Sequence, residues 1–448
     1  MTAALEITDA LLVTPQGTRP GTIVVDADGR IDALRDAPSG RAARTIDADG
    51  LVALPGMVDQ HVHFMEPGPT AREDFAHGSS AAVAAGVTCV AEHTHGWPVT
   101  TPAQLREKVG HLEARSVVDY ALGAHATPDT LEDAGALREA GVAFVKAFTC
   151  TTHGIDGLDP DMQLRLLRAC AGADMRVLAH CEDESITAGA ERRLRAAMRE
   201  DFGVLPAWRS SEAELTAVVV TALLTRLTGA RVTLAHASQP EVVELALRER
   251  ARGARIDVET CPQYLLLDEA EVVAHGPTRK FTPPARPAPA GAELWEHVRS
   301  GAVAILSSDH APSTLAQKAE GDIFDCPFGL PGIDTTMPLL LDAVAAGDLD
   351  WARLVEVYSA APAAALGLAD RKGALAPGMD ADIVLVDPAA RRTLRSADVR
   401  SKAGWTPYDG REVRGVVAMT FVRGTLAAQD GEVVAELGTG QWQRPRLR

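Results

Sequence analysis

The fold and the chemistry of this chain are decided by one stretch, Leu54-Pro55-Gly56-Met57-Val58-Asp59-Gln60-His61-Val62-His63. Its apolar residues predict a β-strand, and successive side chains of a strand point to opposite faces. His61 and His63 therefore share one face at the end of the strand, where two imidazoles are a candidate pair of metal ligands. Two ordinary polar residues at a strand exit are the alternative, so the choice depends on residues further along the chain.

Length and charge limit the classes of protein to consider. The chain has 448 residues, enough for one large and one smaller domain. Its 44 basic and 61 acidic residues give a formal charge of 44 − 61 = −17, which argues against nucleic acid or an anionic membrane as a partner. Residues 1–17 lack the features of a signal peptide, and no window reaches the ~18–20 apolar residues of a membrane span. The scattered cysteines favour reduced thiols, so we expect a cytoplasmic protein.

The predicted elements indicate an α/β fold, a (β/α)₈ TIM barrel with a small β-sandwich domain formed by both termini. Barrel strands are predicted at 57–62, 87–92, 117–124, 142–148, 175–180, 231–236, 254–260 and 302–308. Helices are predicted near 77–85, 102–115, 130–140, 160–173, 184–201, 212–228, 239–253 and 290–300. Strands at 5–14 and 21–34 and again at 381–386 and 413–420 place the sandwich at 1–55 plus 370–448, and the barrel at 56–369. No glycine-rich nucleotide motif follows a strand, so a nucleotide cofactor has no support.

Chemistry in such a barrel lies at the carboxyl ends of the strands. The side chains that the sequence places there are His61, His63, Lys146, His180, His236 and Asp309. Each has an ordinary alternative, such as a hydrogen-bonded histidine, a buried or Schiff-base lysine, or a helix-capping aspartate. An ammonium beside a metal ion would be repelled, so Lys146 is expected to be neutral or modified. Its carbamate, formed with carbon dioxide, would bridge two metal ions.

These motifs resemble those of the binuclear amidohydrolase superfamily, in its cyclic-amide branch of dihydroorotases, allantoinases and hydantoinases. The resemblance covers essentially the whole chain. It rests on HVHFMEPG at 61–68, ETCPQYL at 259–265, KFTPP at 280–284, SDHAP at 308–312 and GMDADIV at 378–384.

The resemblance implies two divalent metal ions, by default zinc, and a role for each strand-end residue. His61 and His63 would bind the first ion, a carboxylated Lys146 would bridge, and His180 and His236 would bind the second. Asp309 would contact the first ion and carry the proton. A metal-bridging hydroxide would then open a cyclic amide ring, the reaction class EC 3.5.2.-, in a protein expected to be a homo-oligomer, dimer or tetramer.

The substrate is predicted from what the family signatures lack here. Dihydroorotases hold a carboxylate with an arginine, an asparagine and a histidine, which fall on Met65, His95 and Ser313. The asparagine that allantoinases carry at Met65 is absent too, and the tyrosine of hydantoinases falls on Thr151. With His153, these residues predict a neutral, hydrogen-bonding pocket for a small cyclic imide, hydantoin or ureide, with Met65 as an apolar wall.

Other functions remain as alternatives. The chain could be a dihydroorotase or allantoinase proper, and Arg72 and Arg286 are then the first candidates to bind a carboxylate. A mononuclear deaminase of the same superfamily would lack the bridging Lys146. A structural homologue without catalysis would have lost metal ligands, whereas every ligand position is filled here.

Overall fold

The computed structural model describes residues 3–446. Its strands are β1 (Leu5–Thr14), β2 (Gly17–Val25), β3 (Ile31–Arg35), β4 (Arg44–Asp47), β5 (Val52–Pro55), β6 (Met57–Val62), β7 (Val87–Glu92), β8 (Asp119–Leu122), β9 (Ala124–His125), β10 (Phe144–Phe148), β11 (Arg176–His180), β12 (Arg231–Leu234), β13 (Arg255–Thr260), β14 (Ile305–Leu306), β15 (Ile383–Thr393), β16 (Glu412–Val422), β17 (Thr425–Gln429) and β18 (Glu432–Val433).

The α-helices surround the barrel strands. They are α1 (Phe75–Ala84), α2 (Pro102–Leu112), α3 (Ala134–Ala140), α4 (Pro160–Gly172), α5 (Glu184–Ala196), α6 (Val204–Trp208), α7 (Ser211–Thr228), α8 (Pro240–Arg250), α9 (Pro262–Leu266), α10 (Glu269–His275), α11 (Pro289–Ser300), α12 (Leu315–Lys318), α13 (Thr336–Ala346), α14 (Trp351–Val355) and α15 (Ala361–Ala365). None of these helices combines the length and hydropathy that a bilayer crossing requires.

Strands β6 to β14 form the predicted parallel barrel. They are hydrogen-bonded in two runs, β6-β7-β8 and β9 to β14, and β8 and β9 are two halves of the third barrel strand on either side of Gly123. A side chain at Gly123 would meet the Phe144 ring at 2.6 Å, so this position needs glycine. The first and eighth strands meet where the His63 amide donates to the His310 carbonyl over 2.8 Å, which closes the barrel.

Both termini contribute to a second sheet, as predicted. Its nine strands run in the order β18-β17-β16-β15-β5-β1-β2-β3, with β4 paired to β1. The central pairing joins β5 antiparallel to β15, so a segment just before the barrel lies beside one just after it. The division into 1–55 plus 370–448 and 56–369 stays a proposal. At the carboxyl end, Gln443 donates to the Tyr120 carbonyl over 2.7 Å and thereby lies along barrel strand β8.

A buried group of charges joins this sheet to the amino-terminal end of the barrel. Lys372 Nζ lies 2.5 Å from Asp119, 2.7 Å from Asp382 and 3.0 Å from Asp380, and Arg423 also pairs with Asp119. Asp119 is the first residue of β8, while Asp382 directly precedes β15. We call these five residues the lysine cluster. Its three carboxylates around one ammonium raise the pKa of Lys372, which is therefore charged.

Candidate metal centre and active site

The structure brings the six strand-end side chains into one cavity at the carboxyl end of the barrel. They share its lining with His153, Thr282, Phe328 and a few apolar neighbours; the six are His61, His63, Lys146, His180, His236 and Asp309. They come from five strands, His61 and His63 from the end of β6 and one each from β10, β11, β12 and β14, as the sequence predicts for a site in this fold. Asp309 and His236 have positive φ values of 46° and 40°, a costly conformation that clusters at functional sites.

Two groups of ligand atoms face each other across the cavity. His61 Nε2 lies 3.1 Å from Asp309 Oδ1 and 3.4 Å from Lys146 Nζ, and His63 Nε2 lies 3.6 Å from the same aspartate oxygen. Opposite them, His180 Nδ1 lies 3.0 Å from His236 Nε2. Two imidazoles with a carboxylate on one side and two imidazoles on the other, with a lysine near the first group, form a donor set suited to two divalent ions.

Neighbouring oxygens fix which ring nitrogen of three histidines faces the centre. Glu259 Oε1 lies 2.7 Å from His61 Nδ1, the His93 carbonyl lies 3.1 Å from His63 Nδ1, and Glu182 Oε2 lies 2.7 Å from His180 Nε2. Each acceptor holds the N–H on its own side and leaves the other nitrogen's lone pair free. Metal-binding histidines are oriented in this way, so the residues present fit metal ions.

Glu182 is ionised, which makes it an effective partner for His180. Its Oε2 accepts from Thr282 Oγ1 over 2.7 Å and lies 3.2 Å from Arg209 Nη1. Burial opposes ionisation, but the Arg209 charge and these hydrogen bonds lower the pKa of Glu182 to about 2. Arg209 and Thr282 thus support His180 through the carboxylate between them.

Burial keeps the basic groups of the centre in forms that bind metal. It lowers the pKa of His63, His180 and His236, so their rings are neutral. It also lowers the pKa of Lys146 to about 8, against the opposing pull of the Asp309 and Glu259 charges. A part of the Lys146 population is therefore free amine near neutral pH, the form that reacts with carbon dioxide.

The predicted substrate residues divide into two groups. His95, Thr151 and His153 line a neighbouring cavity of about 380 Å³, and His153 also lines the metal cavity. Met65 and Ser313 line neither cavity, and their contact with substrate stays a prediction. The Met65 side chain is buried, with its sulfur 3.5 Å from the Thr94 hydroxyl, and the Ser313 side chain is buried as well.

The two arginines that the sequence suggests as carboxylate-binding residues differ in whether they are free to contact a substrate. Arg286 is engaged by Ser238, Glu214 and two backbone carbonyls, so it is a structural residue. Arg72 lines the 380 Å³ cavity, with its Nε donating to the Pro312 carbonyl over 2.9 Å and its Nη1 3.4 Å from His95 Nε2. Burial lowers the pKa of Arg72 to about 10, which leaves it charged at neutral pH.

A loop of residues 324–329, the lid loop, separates the two cavities through Phe328, which lines both. Two buried lysines hold this loop through its backbone. Lys280 Nζ donates to the carbonyls of Phe324 and Cys326 over 2.8 and 2.5 Å, and Lys318 Nζ donates to the Pro327 carbonyl over 2.8 Å. The lid loop is therefore anchored from outside the site.

Sequence reasoning did not identify the carboxylates that orient the histidines. Glu182 stands two residues after His180 at the end of β11, and Glu259 lies on β13 within a segment noted only for its resemblance. The alternation of side chains places Glu182 on the same face as His180, a signal that could have found it. His125 was not identified either, although it ends β9, the strand beside the one that carries Lys146.

Comparisons with known proteins agree with this geometry. Residues 52–427 match the model of the amidohydrolase family. The chain is 36% identical to an allantoinase of Rubrobacter xylanophilus, over 97% of this chain and 98% of that protein. It is 37% identical to a dihydroorotase of Halobacterium salinarum, with 91% and 93% covered. Its structure matches the L-hydantoinase of Arthrobacter aurescens with a TM-score of 0.94 at 30% identity, over 99% and 100% of the two chains.

The chain belongs to the amidohydrolase family. Its relatives are allantoinases, dihydroorotases and hydantoinases, and its residues fit a metal-dependent centre. The protein is accordingly a cyclic amidohydrolase, which hydrolyses C–N bonds of cyclic amides. The predicted TIM barrel with its terminal β-sandwich and the predicted reaction class are confirmed.

Proposed function

We propose that the protein opens a small, neutral cyclic imide, hydantoin or ureide at a centre of two zinc ions. His61, His63 and Asp309 would hold the first ion, His180 and His236 the second, and carboxylated Lys146 would bridge them. The observation that carries this proposal is the convergence of these six side chains, with Lys146 Nζ 3.4 Å from His61 Nε2. A bridging carbamate would offset the repulsion between two close cations.

Within this centre Asp309 is the residue placed to move protons. When bound, the two ions would supply Lewis acidity and lower the pKa of a water molecule. Asp309 Oδ1 lies within 3.6 Å of both first-group imidazoles, so a water at the centre of the cavity would lie within its reach. Asp309 would accept the proton of that water and return it to the departing ring nitrogen, so that the ring opens to an amide acid.

The two histidines of the 380 Å³ cavity favour a neutral substrate, whereas Arg72 is the one charged group there that we name as a candidate for binding a carboxylate. Burial, with nearby charges, lowers the pKa of His95 and His153, so both rings are neutral and offer hydrogen bonds without charge. Met65 and Ser313 are not among the residues that line this cavity. Dihydroorotase and allantoinase activity remain the second candidates because relatives carry those names. We further propose a homo-oligomer, dimer or tetramer, working in the cytoplasm.

A hydrolysis screen of the zinc-loaded protein tests the proposal. The substrates are hydantoin, dihydrouracil, allantoin, dihydroorotate and simple cyclic imides, and the metal content is measured on the same sample. We expect about two ions per chain and hydrolysis of a neutral ring. One ion per chain with deamination of a nucleobase would support the mononuclear alternative, and failure to bind metal would exclude the proposed centre.

A further inference from the structure

Two buried histidines next to the proposed centre have no assigned role. His93 directly follows β7, and His125 ends β9, so the second and third barrel strands each present an imidazole at the same end as the six proposed ligands. Lys146 is paired in register with His125 across β9 and β10, so both side chains point to one face of the sheet. Seven of the eight barrel strands therefore carry, at or just beyond their carboxyl ends, either a proposed metal ligand or one of these two histidines.

In the part of the chain that the structure describes, neither ring has a hydrogen-bonding partner. Within residues 3–446, both nitrogens of His93 and both of His125 are buried without one. A buried polar group left unpaired costs roughly 1–3 kcal/mol, so such groups call for an explanation. Substrate does not provide it, because neither ring lines the metal cavity or the 380 Å³ cavity. The missing partner is therefore expected to be a group other than substrate that binds within the barrel.

His93 is close enough to His61 and His63 to bind the same metal ion. Its ring centroid lies 4.5 Å from that of His63 and 4.7 Å from that of His61, and one ligand nitrogen from each of the three lies within 4.8 Å of the others. Glycine at position 123 leaves room for the base of the His93 side chain, since a Cβ there would lie 3.1 Å from His93 Cβ. His125 is further away, with its centroid 5.9 Å from that of His93.

We infer that His93 is a further ligand of the metal centre, which adds a third imidazole to the ion held by His61 and His63. The inference rests on the proposed binuclear centre. His93 contributes twice, because its carbonyl orients His63 while its ring supplies the nitrogen. Imidazole ligands suit zinc, copper and nickel, whereas carboxylate ligands suit manganese. Three imidazoles therefore favour zinc, copper or nickel over manganese at this position.

The test compares metal affinity in single-histidine variants. Apo-protein is titrated with Zn²⁺ against a competing chelator, and bound metal is counted by elemental analysis. We expect His93→Gln to bind the first ion about tenfold or more weakly, His93→Gly to recover affinity with added imidazole, and His125→Gln and the exposed His275→Gln to bind as the unaltered protein does.

The outcomes separate the inference from the proposal beneath it. Unchanged affinity in His93→Gln, while His61→Gln and His236→Gln each lose an ion, overturns the role of His93 alone. An equal loss in His125→Gln also overturns it, in favour of a separate ion between those two rings. If His61→Gln and His236→Gln keep both ions, the binuclear centre itself is wrong. Should His93→Gln fail to fold, a crystal structure of the zinc-loaded unaltered protein decides, with a nitrogen–zinc distance of about 2.0–2.1 Å expected for His93.

Discussion

The two ends of the barrel each bury a polar cluster, and the two clusters are built in opposite ways. At the amino-terminal end, Lys372 contacts three carboxylates within 3.0 Å, and Arg423 adds a second cation. At the carboxyl end, the rings of His93 and His125 are buried, and no group among the described residues hydrogen-bonds to their nitrogens. One cluster is completed by the chain itself, whereas the other needs something from outside the chain.

The difference separates residues that hold the fold from residues that prepare a reaction. Breaking a buried ion pair by removing one partner leaves an uncompensated charge and is strongly destabilising. Unsatisfied neutral imidazoles instead lower stability until a ligand completes them, and natural proteins tolerate such violations at functional sites. Substitutions at the carboxyl end should therefore change activity and metal content, and those at the amino-terminal end should change stability.

The largest effect is expected at Lys146. Lys146→Ala removes the side chain that would bridge the ions, so we expect loss of both ions and of measurable turnover. Short carboxylic acids or bicarbonate should restore part of the activity, because a free carboxylate can occupy the place of the carbamate. The measurements are metal content, initial rates with and without acetate, and intact mass under native, non-acidic conditions. A bare amine in the active, metal-loaded protein would contradict this role.

Asp309→Asn is expected to keep most of its metal and to lose turnover by about 10²–10⁴-fold or more, the typical worth of a positioned acid–base group. Asparagine retains a ligand oxygen but cannot carry the proton through both steps. Steady-state kinetics alongside metal analysis check this outcome. Near-normal kcat in the variant would remove Asp309 from proton transfer.

At the opposite end, Lys372→Met should leave metal content and kcat of the folded protein unchanged. It should lower the free energy of unfolding by about 3–5 kcal/mol, because three buried carboxylates lose the one cation that they share. Chemical denaturation of the metal-free protein measures it. The control is Arg252→Met, whose exposed pair with Glu249 should shift stability by no more than about 0.5 kcal/mol. Similar effects in the two variants would mean that the lysine cluster does not hold the fold.

The smallest effect concerns the substrate. We expect neutral cyclic amides to be hydrolysed at least about tenfold better, by kcat/KM, than dihydroorotate, because a buried carboxylate requires a strong donor and His95 is neutral. Competition assays with one enzyme sample give the ratio directly. If dihydroorotate is preferred, Arg72 becomes the anchor, and Arg72→Met should then abolish that preference.

The sequence predicted most of the fold and the positions of the proposed ligands, since strand-end residues are determined by local apolar patterns. His61 and His63 could be placed on one face from alternation alone. The break at Gly123 and the short strand β14 could not be predicted, because they depend on packing between strands. The partnerships of Glu182 with Arg209 and of Glu259 with His61 join residues far apart in the chain, and no local pattern encodes them. The role of Met65 stays a prediction, because its position in a motif does not report which wall its side chain belongs to.

The anchoring of the lid loop has a consequence for how this enzyme can be redesigned. Lys280 and Lys318 hold the loop through backbone carbonyls, and Lys280 Nζ also lies 4.2 Å from the centre of the Phe328 ring. The backbone contacts do not depend on the side chain at position 328, so a substitution there loses only the contact with the ring. Phe328 stands between the two cavities, and replacing it with a smaller residue would merge them without disturbing a proposed metal ligand. A library of variants at this position would test which ring sizes and substituents of the substrate are accepted, while the proposed metal ligands stay unchanged.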